Sequence, residues 1–175
     1  MSEEHVILVD EDDREIGAME KLAAHADGGV RHRAFSVFIV DPSGRWLLQR
    51  RAAGKYHFPG LWTNACCSHP RPGEATADAA HRRLREELGF DCPLTGRFQF
   101  EYRAESVAEG LTEHEVDHVF SGIYAGEVAP HPDEVGAIRW VEPAGLAEEV
   151  RETPDVFTPW FRLAFARVRG VLEGR

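Results

Sequence analysis

The stretch Glu74-Ala75-Thr76-Ala77-Asp78-Ala79-Ala80-His81-Arg82-Arg83-Leu84-Arg85-Glu86-Glu87-Leu88-Gly89-Phe90 reads as one amphipathic helix closed by a glycine. Ala77, Ala80, Leu84 and Leu88 recur at three- and four-residue steps, which places them on one face. Gly89 can take the left-handed conformation that ends a helix. The other faces carry Arg82, Arg83, Glu86 and Glu87, with Arg82–Glu86 and Arg83–Glu87 at i,i+4 spacing. Upstream lie apolar runs rich in strand formers. His5–Asp10 ends in the acidic turn Glu11-Asp12-Asp13, and Phe35–Val40 and Trp46–Gln49 flank Asp41-Pro42-Ser43-Gly44, which predicts a hairpin. Downstream, Arg97–Arg103, Thr112–Tyr124 and Ala137–Val141 read as further strands. A last helix opens at Thr158-Pro159, a hydroxyl cap followed by proline, with Phe161, Leu163–Phe165 and Val168 as its buried side. Strands through the middle, with helices between and after them, predict an α/β (α+β) class with a mixed sheet sandwiched between helices.

A chain of 175 residues predicts a single domain, residues 1–175. Apolar residues at 43% and charged residues at 29% exclude a disordered or collagen-like chain. No window approaches 18 uninterrupted apolar residues, so no membrane insertion is expected. The start Met1-Ser2-Glu3-Glu4-His5 is acidic and lacks a basic flank, which predicts no signal peptide and a cytoplasmic location. The formal charge of −10 argues against a nucleic-acid partner. Basic residues nevertheless cluster, at Arg50, Arg51 and Lys55 and again at Arg71, Arg82, Arg83 and Arg85, so a small anionic substrate stays open. Cys66, Cys67 and Cys92 form no C-x-x-C pair, and a disulfide frame is not expected.

The most distinctive run is Trp62-Thr63-Asn64-Ala65-Cys66-Cys67-Ser68-His69-Pro70. In an extended chain Cys66 and Cys67 point to opposite faces, and Cys67 shares its face with His69. Read alone, this fits a buried structural cysteine beside a surface histidine better than a reactive pair. In Thr112-Glu113-His114-Glu115-Val116-Asp117-His118 the same alternation lines up Glu113, Glu115 and Asp117. On a solvated edge such a row costs little; in a pocket it needs a cation or a shared proton. His25 and His32 flank Gly28-Gly29, and with His69, Glu113 and Glu115 they would make a three-imidazole, two-carboxylate site. Such ligands suit Mn²⁺, Mg²⁺ or Zn²⁺, although spacing alone does not establish that the five converge. His114-Glu115-Val116-Asp117-His118 also matches the zinc-protease pattern H-E-x-x-H, but that motif works only on a helix and this segment reads as strand.

Glu74 and the run Arg82–Phe90 resemble a Nudix box, the loop–helix signature of diphosphate-handling enzymes, with Ser68 in place of its opening glycine and Arg83 in place of a glutamate. The whole chain, from Glu4–Asp10 to Phe157–Trp160, resembles the type I isopentenyl-diphosphate isomerases of isoprenoid biosynthesis, a Nudix-fold family whose box is degraded in this way. The resemblance implies interconversion of isopentenyl and dimethylallyl diphosphate, with Cys67 and Glu115 flanking the double bond and a tertiary carbocation between them. It implies that Trp160 is the aromatic wall and Tyr102 the tyrosine beside the acid–base carboxylate. It implies His25, His32, His69, Glu113 and Glu115 as metal ligands, and Glu87 with the Cys67 carbonyl as a second site for Mg²⁺ bound with the diphosphate. Lys21, Arg51, Lys55, Arg83 and Ser68 match diphosphate contacts, and the family implies a monomer. The alternative is a Nudix hydrolase of a small diphosphate, which calls for glutamate where Arg83 stands.

Overall fold

The computed structural model describes residues 4–174, so the acidic start at residues 1–3 lies outside the described residues. Along the chain come β1 (His5–Val9), β2 (Glu15–Glu20), α1 (Lys21–His25), β3 (His32–Val40), β4 (Trp46–Arg51), β5 (Trp62–Thr63) and β6 (Cys66–Ser68). Then follow α2 (Thr76–Leu88), β7 (Thr95–Ser106), β8 (Leu111–Ile123), β9 (Val135–Val141), α3 (Pro143–Glu152), a 3₁₀ turn (Pro154–Val156) and α4 (Pro159–Leu172).

Strand β3 is the spine of the sheet. It runs parallel to β8 in unbroken register from His32↔Glu115 to Val40↔Ile123. It pairs antiparallel with β6 through Ser36↔Cys67 and meets β1 at Leu8↔His32. Alternation along β3 divides the core. Phe35, Val37 and Ile39 pack with Ala79, Ala80, Leu84 and Leu88 of α2, whereas Phe38 packs with Phe161 and Phe165 of α4 and Leu146 of α3. Each of the larger aliphatic and aromatic side chains among them contributes roughly 1.5–3 kcal/mol by leaving water, so the two clusters clamp the sheet between helices. The class is α+β, with a mixed sheet in a helical sandwich. Gly89 ends α2 at φ 72°, its N–H bonded to the Arg85 carbonyl, and a Cβ there would meet Ala129 at 2.9 Å.

Some expectations change. The β3–β4 hairpin pairs only at Val40↔Trp46, because β4 is taken up by β9 and β5 while β8 and β6 occupy both edges of β3. The turn itself is tight, since the Asp41 carboxylate accepts hydrogen bonds from the Ser43 and Arg45 amides. Leu163 is 60% exposed, and the buried face of α4 is Trp160, Phe161, Ala164, Phe165 and Val168. Thr158 stands at the N-cap of α4, yet its hydroxyl bonds the Thr63 hydroxyl at 2.8 Å rather than a helix amide. β2, α1 and α3 lie outside the elements that the sequence patterns predict. Among the described residues no helix is long and apolar enough to cross a membrane.

Candidate active site

The site grows from the register of β3 against β8. Alternation on β8 turns Glu113, Glu115 and Asp117 inward, where they are buried. His114 and His118 point outward, to Glu101 at 2.8 Å and to Asp13 at 2.7 Å. His32 is the register partner of Glu115, so the parallel pairing itself brings imidazole to carboxylate. His69 follows β6, and its Nε2 lies 2.8 Å from Glu115 Oε1. The His32 Nε2 lies 3.3 Å from the same oxygen and 3.2 Å from His69 Nε2, and His25 Nε2 lies 3.8 Å from it. His25 is delivered by α1, whose first turn is capped by the Glu20 carboxylate accepting from the Leu22 and Ala23 amides.

The backbone fixes which ring nitrogens are free. His25 Nδ1 donates to the Lys21 carbonyl and His32 Nδ1 to the Val30 carbonyl, each at 2.7 Å. A neutral ring at either position would present its Nε2 lone pair to a carboxylate oxygen, an arrangement that repels unless a cation stands between them. His25 Nε2 has no hydrogen-bond partner. The Tyr102 hydroxyl lies 2.7 Å from Glu113 Oε2 and 2.6 Å from Glu115 Oε2, and its one proton serves only one of them. Buried imidazole nitrogens and carboxylate oxygens with unmet demand for positive charge fit a divalent metal, and His25, His32, His69 and Glu115 have donor atoms within 4.8 Å of one another. Glu113 turns to a different group, with His25 and His57. Burial pushes the Glu115 pKa up, but the His25, His32 and His69 imidazoles around it together hold it well below the usual carboxylate range. Burial drives His69 well below an ordinary histidine.

Cys67 and its neighbour divide as alternation requires. Cys66 packs in the α2 cluster and Cys67 against the α4 cluster. The Cys67 sulfur accepts from Trp160 Nε1–H at 3.1 Å, and the thiol reaches Asn64 Oδ1 at 3.4 Å. Burial pushes its pKa up to about 12, so at neutral pH it is a protonated thiol. Cys67, Ser68, His69, Tyr102, Glu113, Glu115 and Trp160 line one cavity, together with Lys21, Arg51, Lys55 and Arg83. Three of these cations already have carboxylates: Lys21 with Glu4 at 2.8 Å, Lys55 with Glu134 at 2.6 Å, and Arg83 with Glu86 at 2.7 Å and Glu87 at 2.6 Å. Arg51 donates to the His57 carbonyl at 3.1 Å, with its guanidinium 5.4 Å from the Trp160 ring.

Two box carboxylates stand apart from the histidine cluster. Glu87 is buried between Arg83 and the Gln49 amide, which donates to it at 3.0 Å. Glu74 accepts from the Arg82 guanidinium at 2.7 and 2.9 Å and from the Arg71 amide. The sequence reading missed His57 and Tyr56, which sit in the loop after β4 and line the same cavity. No periodicity marks a loop histidine, so the only available signal was the residue type. Asp117 also lines the cavity, accepting from the Ser36 hydroxyl at 2.7 Å, and burial raises its pKa well above the ordinary carboxylate range.

A family model described as NUDIX domain matches residues 30–161. The chain is 51% identical to isopentenyl-diphosphate Delta-isomerase 2 of Aromatoleum aromaticum, over 95% of this chain and 87% of that one. It is 49% identical to the isopentenyl-diphosphate Delta-isomerase of Halorhodospira halophila, over 91% of each. Among solved structures it is similar to DR0079 of Deinococcus radiodurans, with TM-score 0.70 and 19% identity over 86% of this chain and 90% of that one. A MutT Nudix hydrolase of Burkholderia pseudomallei gives TM-score 0.62 and 23% identity, over 79% and 98% of the two chains. At those identities the structural likeness speaks for the fold alone.

Proposed function

Since the chain belongs to the type I isopentenyl-diphosphate isomerases of the Nudix family, we propose that its cavity moves the double bond of isopentenyl diphosphate to give dimethylallyl diphosphate, and back. A proton added to the terminal CH₂ leaves a tertiary cation. Loss of a proton from the methylene between that cation and the oxygen-bearing carbon completes the shift. Cys67 and Glu115 flank the double bond, one giving a proton and the other taking one. The observation that carries this is a protonated thiol and a Tyr102-bonded carboxylate lining the same cavity as the Trp160 ring. Tyr102 steadies the Glu115 carboxylate by donating its hydroxyl proton, and Trp160 offers its ring face to the cation.

His25, His32, His69, Glu113 and Glu115 hold a divalent ion, Mn²⁺, Mg²⁺ or Zn²⁺. When bound, the ion neutralises the two adjacent carboxylates and sets the proton affinity of Glu115. Glu87 and the Cys67 carbonyl hold Mg²⁺ that comes with the diphosphate. Lys21, Arg51, Lys55, Arg83 and Ser68 bind the diphosphate, giving an acidic protein a basic mouth. The enzyme works as a single-domain cytoplasmic monomer on a small prenyl diphosphate. Hydrolysis is the weaker reading, because the relatives of about half-identical sequence are named isomerases and Arg83 replaces a box glutamate.

The test is turnover of isopentenyl diphosphate in deuterated water with Mg²⁺ and Mn²⁺, followed by NMR. Deuterium in the recovered prenyl diphosphate is the expected result. Release of phosphate without label would replace the isomerase with a hydrolase.

A further inference from the structure

Lys55 and Arg83 line the cavity from different elements, Lys55 from the loop after β4 and Arg83 from α2, and one carboxylate holds both. Glu134 Oε2 accepts from the Lys55 ammonium at 2.6 Å and lies 3.3 Å from Arg83 Nη2. Two cations thus meet at a single oxygen, close enough for one polyanionic group to engage both. The backbone of Glu134 is fixed to the loop that carries Lys55. Its carbonyl accepts from the Ala52 amide at 3.0 Å, and the Lys55 amide donates to the Ala52 carbonyl at 3.1 Å. The Glu134 amide donates to the His131 carbonyl at 3.1 Å and braces the turn that leads into β9. Burial pushes the Glu134 pKa up, but Lys55 and then Arg83 outweigh it and hold the group below the ordinary carboxylate value.

Glu134 is not among the described residues that line the cavity, so its effect on a bound anion passes through the two cations that are. It leaves them donors to spare. It takes one of the three N–H groups of Lys55, and Arg83 keeps a buried Nε–H with no hydrogen-bond partner. Without the carboxylate the two like charges would repel and their long side chains would spread over many rotamers, which the diphosphate would have to order on binding. We propose that Glu134 is a positioning residue for the diphosphate, holding Lys55 and Arg83 at the separation at which one substrate meets both. This rests on the reading of Lys55 and Arg83 as diphosphate contacts and adds the residue that sets their geometry.

The experiment measures turnover of isopentenyl diphosphate by the full chain loaded with Mg²⁺ and Mn²⁺. Calorimetric titration with magnesium pyrophosphate gives a second reading that needs no turnover. Glu134→Ala should raise KM and weaken pyrophosphate binding about tenfold while kcat stays within about twofold, the pattern of binding lost equally from ground and transition states. Glu134→Gln, which keeps an acceptor oxygen without the charge, should fall between the wild type and the Ala variant. In Lys55→Ala protein the further change Glu134→Ala should cost less than about threefold, because one of its two targets is gone. The full tenfold loss in that background would overturn the proposal, as would an unchanged or lowered KM in Glu134→Ala, even with a lowered melting temperature. If the Ala variant does not fold, a wild-type KM in Glu134→Gln overturns it equally. Unchanged KM and pyrophosphate affinity in both Lys55→Ala and Arg83→Ala would instead overturn the diphosphate reading itself.

Discussion

Trp160 performs two separable tasks, and two substitutions take them apart. The side chain is 3% exposed, so its ring face meets the substrate without intervening bulk water. A desolvated cation–π contact is worth about 2 kcal/mol, and with a tenfold rate change per ~1.4 kcal/mol this corresponds to about 30-fold in kcat. Its Nε1–H donates to the Cys67 sulfur at 3.1 Å, and a neutral hydrogen bond contributes about 1 kcal/mol, or about fivefold. Trp160→Phe keeps an aromatic face and loses the N–H, so kcat should fall about fivefold, somewhat more if the smaller ring fills the site poorly. Trp160→Leu loses both, and the product of the two factors is on the order of 100-fold. The Leu variant also leaves a void in the α4 cluster, so rates are taken well below its own melting temperature. Loss of the vinylidene proton signals, followed by ¹H NMR at saturating substrate, reads kcat directly. Equal kcat for Phe and Leu would remove the ring face from the mechanism.

Cys67→Ser and Glu115→Gln should each cut turnover by several orders of magnitude while leaving the circular dichroism spectrum and melting curve near normal; near-normal turnover in either would remove that residue from the proton-transfer pair. Leu84→Ala, at the fully buried contact of α2 with β3, should cost about 2–5 kcal/mol in urea unfolding, and a loss below 1 kcal/mol would mean that α2 is not held by this cluster. Asp41 tests the fold by pH: the Ser43 hydroxyl, the Arg45 amide and the Arg45 guanidinium hold its pKa at about 2. Because the folded value lies below the unfolded one, this stabilisation is full above about pH 4 and disappears as pH falls through about 2. Asp41→Asn should therefore lower the melting temperature at pH 7 and lose most of that deficit near pH 2, and a deficit independent of pH would show that the carboxylate charge plays no part.

What could be read beforehand was whatever depends on local periodicity. Helix α2 and its glycine stop, the shared face of Glu113, Glu115 and Asp117 on β8, and the split of Cys66 from Cys67 all follow from side-chain geometry over a few residues. The convergence of His25, His32 and His69 on Glu115 does not, because it depends on one long-range register, His32↔Glu115, and on a five-residue helix too short to leave a pattern. The resemblance supplied those ligands where spacing left them unjoined. His57 escaped both routes, since it lies in a loop and resembles no motif residue. The same distinction explains the β3–β4 hairpin. Its turn chemistry was legible in Asp41-Pro42-Ser43-Gly44, but which strands compete for the edges of β3 is decided by partners some thirty and eighty residues away. In this protein local chemistry orients each side chain, and the sheet register decides which of them meet. A change of one residue in the β3–β8 pairing would turn Glu113, Glu115 and Asp117 away from the cavity and bring His114 and His118 into it. The parallel register is thus as much a part of the active site as any ligand it carries.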